Sequence, residues 1–407
     1  MSKFKIYGND LKALLVSKTL MKSQKKVELI GEARFNFDSS YVFQGKIFDC
    51  GYHAIEIERC SEVWDLISSE KIKFYEQAAK RKLYISGKVL PRNYSISKLQ
   101  DDKLNYLYSR SEEDAFEYFW DQYVEKQFIR SYTQNQLLKN KFNLTPADYA
   151  VNISPWFFPQ ELIKFCGNEI KYHFENLDND DKKIAYPSEG GFGKVQDMLR
   201  ISMHSNIKKS PDKIPPIASF SELNKVNSES IDSDLISIIP IDILKLMNEN
   251  YSPIEFAETK YLILDVEFDG DVNIDFTELL IADPNIFIDR VSSQSSLVGE
   301  TQTRFLQAEK EIYQSEDPEK SVQKMIEDLI RIMLKQGRTL SIKNYQFKCI
   351  PFRRFDIKAC QKSTDKVIND IEGKFTNIVV LNRSLQYRNF VDTYIDLMKA
   401  IKGKVSC

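Results

Sequence analysis

Alternation of apolar and polar residues characterises the first part of the chain. The segments KFKIY and SYVFQGKIF alternate over several positions, which is typical of half-buried strands. From Glu62 to about Lys80 the spacing becomes helical. The apolar face of that helix would consist of Val63, Leu66, Ile67 and Phe74. Residues 1–105 are therefore predicted to form a β-rich αβ domain.

A helical pattern follows in residues 106–204. Ser111 and Asp114 form a capping pattern at the start of one segment, and an aromatic face repeats behind it at helical spacing up to Phe128. We predict a mainly helical segment here. Residues 205–234 are rich in Ser, Pro, Asn and Lys, so they are predicted to be a linker or long loop.

The last part, residues 235–407, mixes both patterns. Asp317 and Pro318 are a good start for a helix that carries an apolar stripe up to Met333. TLSIKNYQFKCI and TNIVVLN are typical of strands, and NFVDTYIDLMKAIKG is typical of a closing helix. A mixed α/β domain is predicted, and the fold class of the whole chain is α+β.

The segment YLILDVEFDGDVNIDF, residues 261–276, alternates on both sides of an Asp-Gly-Asp triplet. A two-residue turn would set apolar against polar side chains, whereas a three-residue loop at 269–271 collects the apolar ones on one face. We therefore predict a β-hairpin that opens the C-terminal domain. Its apolar face would be Leu264, Val266, Phe268, Val272, Ile274 and Phe276.

The opposite face of this hairpin would carry carboxylates. Asp265 would lie directly across from Asp275, with Glu267 beside them, and like charges across a strand pair are destabilising. A divalent cation, Mg²⁺ or Mn²⁺, would relieve that repulsion, and so would exposure to water. We favour the solvated face and keep the three carboxylates as metal ligands and catalytic residues in an alternative hypothesis.

LILDVEFDG, residues 262–270, resembles the first motif of the DEDD 3′–5′ exonucleases, an apolar strand carrying Asp-x-Glu before a glycine. The resemblance covers about nine residues and implies that Asp265 and Glu267 hold two Mg²⁺ ions. That family closes with Tyr-x-x-x-Asp, but Tyr387 and Asp392 stand one position too far apart.

A glycine-rich stretch, SEGGFGKV at residues 188–195, is similar to the glycine-rich loop of protein kinases, with Ser188 in place of the first glycine. The other kinase motifs do not follow it. A Walker loop also fails, because Val195 stands where Ser or Thr is required. We interpret the glycines as a turn before a helix.

A basic run, KCIPFRRFDIKACQK, contains aromatic residues among its positive charges. Arginine and lysine bind phosphate or acidic groups, and aromatic side chains stack on bases. The candidate phosphate or partner contacts are Lys348, Arg353, Arg354 and Lys358.

Charge and cysteine usage narrow the function classes. Lys+Arg number 57 and Asp+Glu 59, a net charge of −2, which argues against a dedicated nucleic-acid coat. The six cysteines form no CxxC pair, and neither a signal peptide nor an apolar run long enough to cross a bilayer is present. These features predict a soluble cytoplasmic protein.

These patterns contain no evident catalytic constellation. We therefore expect an intracellular protein–protein interaction or assembly component without a cofactor, with a protein partner or self-association. The alternative is a nuclease or other phosphodiester-processing enzyme that uses Mg²⁺ or Mn²⁺ at Asp265, Glu267 and Asp275 and binds nucleic acid.

Overall fold

The computed structural model describes residues 3–91 and 183–405, except for residues 9, 32–39, 52, 60, 86, 204–206, 209–216, 218, 230–234, 252–255, 282, 284, 336–340, 356 and 383–389. The predicted aromatic helix at residues 111–128 lies outside the described residues. Of the predicted helical segment 106–204, only residues 183–203 are described.

The elements below are numbered along the described residues. The strands are β1 Lys3–Tyr7, β2 Lys26–Ile30, β3 Ser40–Phe43, β4 Lys46–Asp49, β5 Ile55–Glu56, β6 Phe74–Ala78, β7 Arg81–Ile85, β8 Lys88–Pro91, β9 Lys183–Pro187, β10 Ile207–Lys208, β11 Leu235–Ile239, β12 Phe256–Asn273, β13 Glu278–Ile281, β14 Arg290–Ser292, β15 Gln302–Tyr313, β16 Ile342–Phe355 and β17 Ile378–Val380. The helices are α1 Leu11–Lys22, α2 Ser61–Ser68, α3 Gly193–Ser202, α4 Phe220–Glu229, α5 Ile243–Asn250, α6 Gln294–Leu297, α7 Pro318–Lys335, α8 Ile357–Lys374 and α9 Phe390–Val405.

A parallel sheet combines strands from both ends of the chain, in the order β10-β2-β1-β11-β17. Strands β11 and β17 are buried along nearly their whole length, which suits strands that are covered on both faces. Successive residues show this directly: Ile238 packs with α1 and α9, and Ile239 packs with α5 and α8. Helices therefore cover both faces of this sheet.

A larger mixed sheet has the order β16-β12-β15-β14-β13-β7-β8. Strand β12 runs antiparallel between β15 and β16 along most of its length. Helix α7 covers one face of the sheet through Met325, Leu329 and neighbouring residues. The helical stripe and the start at Pro318 are as predicted.

The predicted hairpin at residues 261–276 is wrong. These residues belong to β12 up to Asn273, so Asp269-Gly270-Asp271 lies within a strand, at a shift in its register with β15, and is not a hairpin loop. Asp265 pairs with Gln307 on one side and Gln346 on the other, and not with Asp275. Strand β12 therefore pairs with β15 and β16, whereas the alternation pattern predicted pairing within residues 261–276.

The apolar face predicted for that segment is nevertheless confirmed. All six of its residues are buried in one core cluster with α7. The opposite face is not the solvated surface we expected, because the Asp265 side chain is fully buried and that of Glu267 nearly so. Period-two alternation identified the two faces, but it did not identify what covers the polar one.

Two further element predictions need correction. Helix α2 ends at Ser68, and Phe74–Ala78 is strand β6, which pairs with β9. Part of the predicted linker, Phe220–Glu229, is helix α4, which buries Leu223. In both cases tertiary pairing or packing decides a segment whose local pattern is weak.

Of the described residues, 38% are helical and 39% are in strands, distributed over several sheets, in agreement with the predicted mixed α and β content. Both large sheets take strands from either side of the boundaries predicted at residues 105 and 235. Among the described helices, none is both long enough and apolar enough to span a membrane.

Candidate functional site

The parallel sheet reverses its strand order next to β1. The chain proceeds from β1 outward to β2 and β10, then returns to the other side of β1 for β11 and β17. In open α/β sheets, ligands bind in the crevice outside the carboxyl ends of the strands at such a switch point. The turn from β1 into α1 lies at this edge.

Gly8 begins that turn with a φ of +149°. Its N–H donates to the carbonyl of Ile30 at 2.9 Å, and an added Cβ would lie 3.0 Å from Leu381 Cδ2 and 3.5 Å from Ala13 Cβ. A side chain would therefore be crowded between the strand, the helix and the segment after β17. Ala13 is itself fully buried, so α1 packs closely on the sheet.

Asp10 is the N-cap of α1. Its Oδ1 accepts a hydrogen bond from the N–H of Ala13 at 2.9 Å, and Lys12 Nζ lies 3.5 Å from Oδ2. The carboxylate thus satisfies one of the amides that a helix N-terminus otherwise offers to an anion.

Sequence reasoning missed this turn, although its signal is visible. Gly8-Asn9-Asp10-Leu11-Lys12-Ala13 follows a strand and opens a helix, as the dinucleotide fingerprint G-x-G-x-x-G/A does. Gly8 and Ala13 occupy its first and third fixed positions. Asp10 occupies the second, where glycine normally lets the backbone approach a pyrophosphate.

The fingerprint also places an acid about 20 residues further on, where it binds a ribose. Glu28 lies in that range, within β2. Glu32 lies just beyond the strand, outside the described residues.

A second polar cluster surrounds Asp265 on the large sheet. Its carboxylate accepts hydrogen bonds from the Tyr41 hydroxyl at 2.7 Å, from Gln307 Nε2 at 2.8 Å and from Gln346 Nε2 at 3.0 Å. Lys348 Nζ lies 3.9 Å from the centroid of the Tyr41 ring. We call these five residues the Asp265 cluster.

Burial dominates the electrostatics of this cluster. It raises the pKa of Asp265 from 3.8 to about 6, against the opposing effect of the three hydrogen bonds. Burial and the neighbouring Asp265 also raise the pKa of Tyr41. Asp265 therefore changes its protonation state close to neutral pH, whereas the tyrosine keeps its proton.

The glycine-rich stretch packs beside this cluster. The N–H of Phe192 donates to Asp49 Oδ1 at 2.8 Å, and that of Gly193 donates to Ser40 Oγ at 2.7 Å. A Cβ on Gly191 would lie 2.6 Å from Ser40 Oγ. The stretch is a turn before helix α3, as predicted, and these two amides bind side chains of the β3–β4 region.

A charged network links strands β5, β7, β13, β14 and β15. Arg290 pairs with Glu278 and Glu309, and Arg81 pairs with Glu278 and Glu56. All three glutamates are largely shielded from solvent and each has an arginine partner. Because each buried glutamate is paired with an arginine of another strand, we assign this network to the scaffold.

The three carboxylates proposed from the sequence do not meet. Asp275 pairs with Lys82 and its side chain is 76% exposed, while Glu267 binds Asn344 at 2.6 Å and Lys343 at 3.4 Å. No group of three or more His, Cys, Asp or Glu side chains suited to a metal occurs among the described residues.

The predicted basic run is likewise divided. Lys348 and Arg353 both lie on β16, five positions apart, so their side chains leave opposite faces of the strand. Lys348 contacts Tyr41, and Arg353 lies 5.0 Å from the Phe256 ring centroid. The side chains of Arg354 and Lys358 lie outside the described residues.

No protein-family model and no curated protein sequence matches the chain. Solved structures do match it over nearly its whole length. Reduced UDP-galactopyranose mutase aligns with a TM-score of 0.68 at 13% identity, covering 100% of this chain and 96% of that one. Putrescine oxidase bound to putrescine aligns with a TM-score of 0.55 at 11% identity, covering 98% of each chain. A CLA-producing fatty acid isomerase from P. acnes aligns with a TM-score of 0.54 at 10% identity, covering 99% of this chain and 98% of that one.

These three structures have folds of the FAD-dependent oxidoreductase type. The chain shares their fold. This overturns two predictions from the sequence: an interaction or assembly protein without a catalytic site, and a phosphodiester-processing nuclease. It also overturns the cofactor predictions, both the absence of any cofactor and the Mg²⁺ or Mn²⁺ alternative, since the matched enzymes bind FAD.

Proposed function

We propose that this chain is a flavin-dependent enzyme that binds FAD at the β1–α1 turn. The proposal depends on the switch point of the parallel sheet. Residues Gly8 to Ala13 lie there, at the carboxyl edge, and match the dinucleotide fingerprint at two of its three fixed positions. The fold of the matched enzymes over the whole chain supports it.

The residues of the turn fit a dinucleotide at two of three positions. Gly8 allows the tight turn, and the small side chain of Ala13 allows α1 to lie close to β1. Asp10 does not fit, because its carboxylate lies where a pyrophosphate would accept hydrogen bonds from the helix amides.

When bound, a flavin supplies hydride or electron transfer. For this chain's own part we propose that the Asp265 cluster handles protons. Asp265 has a pKa of about 6 and holds the Tyr41 hydroxyl, which suits acid–base exchange near neutral pH. Asp265 itself is buried, but Gln346 and Lys348 are partly exposed, so the cluster extends towards the surface.

The substrates of the three matched proteins differ in chemistry, as their names show. The reaction class that their shared fold supports is flavin-dependent redox or isomerisation chemistry.

A direct test is the visible absorption spectrum of the purified chain, before and after incubation with FAD and removal of the excess. We expect a flavin band to stay with the protein and to bleach on addition of dithionite. Absence of retained flavin, together with no quenching of FAD fluorescence at any protein concentration, would overturn the proposal.

A second test concerns the Asp265 cluster. In the flavin-loaded protein, Asp265→Asn is expected to lower the rate of flavin reduction by substrates while flavin stays bound. Asp275→Asn, on an exposed side chain of the same segment, is the matched control and should leave both unchanged.

A further inference from the structure

We infer that Asp10 competes with the pyrophosphate of FAD, so that the chain binds FAD more weakly than it would with glycine at this position. The inference rests on the proposed function and adds what limits the affinity of that site. It starts from the one position of the β1–α1 turn that departs from the dinucleotide fingerprint.

Asp10 competes with a pyrophosphate for hydrogen bonds. At a helix N-terminus, the amides of the first turn are the donors that a phosphate would use. Asp10 Oδ1 already accepts from the N–H of Ala13, and the backbone carbonyl of Asp10 accepts from Leu14. A pyrophosphate can take the Ala13 amide only after the Asp10 side chain has left it.

Asp10 also competes through its negative charge. The Asp10 carboxylate and a pyrophosphate are both anionic, and both are stabilised by the positive end of the helix dipole. Lys12 Nζ, 3.5 Å from Asp10 Oδ2, lies beside the same position and would be available to a phosphate if Asp10 were removed. Loss of the Asp10 charge should therefore favour the dinucleotide twice, by removing repulsion and by freeing a cation.

The Asp10 side chain also occupies space that a pyrophosphate needs. Glycine at the second position of the fingerprint allows the backbone to approach the pyrophosphate, and any side chain prevents this. The Asp10 side chain is about one-third exposed, so it lies at the surface of the crevice and not beneath it. It is therefore placed to meet a ligand that enters from solvent.

Equilibrium titration of flavin fluorescence tests the inference in the full-length chain. FAD should bind at least tenfold more tightly to Asp10→Gly than to the wild type, because glycine removes charge and bulk and is itself an accepted N-cap residue. Asp10→Asn, which keeps an oxygen acceptor but loses the charge, should lie between the two. Riboflavin, which has no phosphate, should bind all three equally.

Asp317→Gly is the matched control for the loss of an aspartate cap. Asp317 caps α7 through an exposed side chain that accepts from the N–H of Glu319 at 3.0 Å, on a helix that covers the other sheet. Its FAD affinity should equal that of the wild type. Thermal unfolding of all variants identifies any that fail to fold.

The outcomes separate the two levels of the argument. If the wild type binds FAD and Asp10→Gly binds it no more tightly, the role of Asp10 is refuted while the proposed function stands. If neither protein binds FAD, both fail. If only Asp10→Gly binds FAD, or it binds more tightly, the competition by Asp10 is supported.

Discussion

At the scale of one residue, burial determines how the Asp265 carboxylate affects the stability of the fold. It is fully buried, and three neutral donors hydrogen-bond to it. Burial raises its pKa to about 6, so the folded protein binds a proton more tightly at this site than the unfolded chain does. Ionised Asp265 therefore destabilises the fold.

The sign of this effect gives a prediction. Because the folded-state pKa is the higher one, stability falls as pH rises from about 4 through about 6, by up to about 3 kcal/mol for a shift of this size. Asp265→Asn cannot titrate. The unfolding free energy of the wild type relative to this variant should therefore decrease over that range in urea titrations.

The comparison with Asp275→Asn checks that the effect belongs to a buried group. Asp275 is exposed, and its substitution should change stability by no more than about 0.5 kcal/mol at neutral pH. A wild-type-minus-Asp265→Asn difference that stays constant or grows with pH would contradict the argument.

Gly191 illustrates a residue whose backbone and surroundings both require glycine. Its φ is +66°, and an added Cβ would lie 2.6 Å from Ser40 Oγ and 2.8 Å from Asp49 Oδ1. Asp49 is fully buried and also accepts from the Tyr186 hydroxyl at 2.6 Å, so it cannot move away cheaply. The glycine-rich stretch serves packing.

Gly191→Ala should therefore destabilise the protein by about 2–4 kcal/mol, as a sum of backbone strain and overpacking. Gly45 has a similar φ of +74° but open space around its Cα, so Gly45→Ala should cost only the strain, about 1–2 kcal/mol. Chemical denaturation of both variants separates the two causes. Equal losses would show that the contact with Ser40 is unimportant.

At the scale of elements, helix α7 and strand β12 meet through a continuous apolar interface. Leu329 is fully buried there together with Val266 and Phe268. The helix stripe and the strand alternation were both readable in the sequence, because each has a single period and a long run. What joined them was tertiary packing.

Leu329→Ala should lower the unfolding free energy by about 2–5 kcal/mol, because it removes buried methyl groups and leaves a cavity. Leu334, on the same helix, is 50% exposed, and Leu334→Ala should change stability by no more than about 0.5 kcal/mol. Thermal and urea unfolding provide the measurement. A comparable loss in both variants would argue against the described orientation of α7.

At the scale of the whole molecule, both ends of the described chain build one sheet. β1 is flanked by β2 and β11, and β11 pairs with β17 near the C-terminal end. Helix α9 then returns to α1, where Tyr394 shares a hydrogen bond of 2.9 Å with Thr19 and Leu397 is fully buried. Helix α1 is therefore held in place by the last helix.

Deletion of residues 390–405 should expose the apolar face of α1. The shortened chain should no longer unfold in one cooperative transition. We expect increased binding of a hydrophobic dye and a broadened thermal transition. Lys399→Ala, at an exposed position of α9, serves as the control and should unfold like the wild type. A shortened chain that unfolds as sharply as the full chain would contradict this role of α9.

The sequence by itself determined the elements that carry one strong period. Helix α7, strands β16 and β17, helix α9 and the apolar face of residues 264–276 were all predicted from local spacing. The physical reason is that side-chain direction repeats every 3.6 residues in a helix and every two in a strand, whatever the distant partners are.

Tertiary structure alone decided which strands pair and what covers each face. Asp265 looked solvated because alternation assigns polar residues to an outer face. Tyr41, Gln307 and Gln346, from three separate strands, bury it. The dinucleotide-type turn was overlooked because its second glycine is Asp10, and its meaning depends on the switch point that β11 and β17 create. The three contacts of Asp265 join residues 42, 81 and 224 positions apart, and no local pattern specifies them.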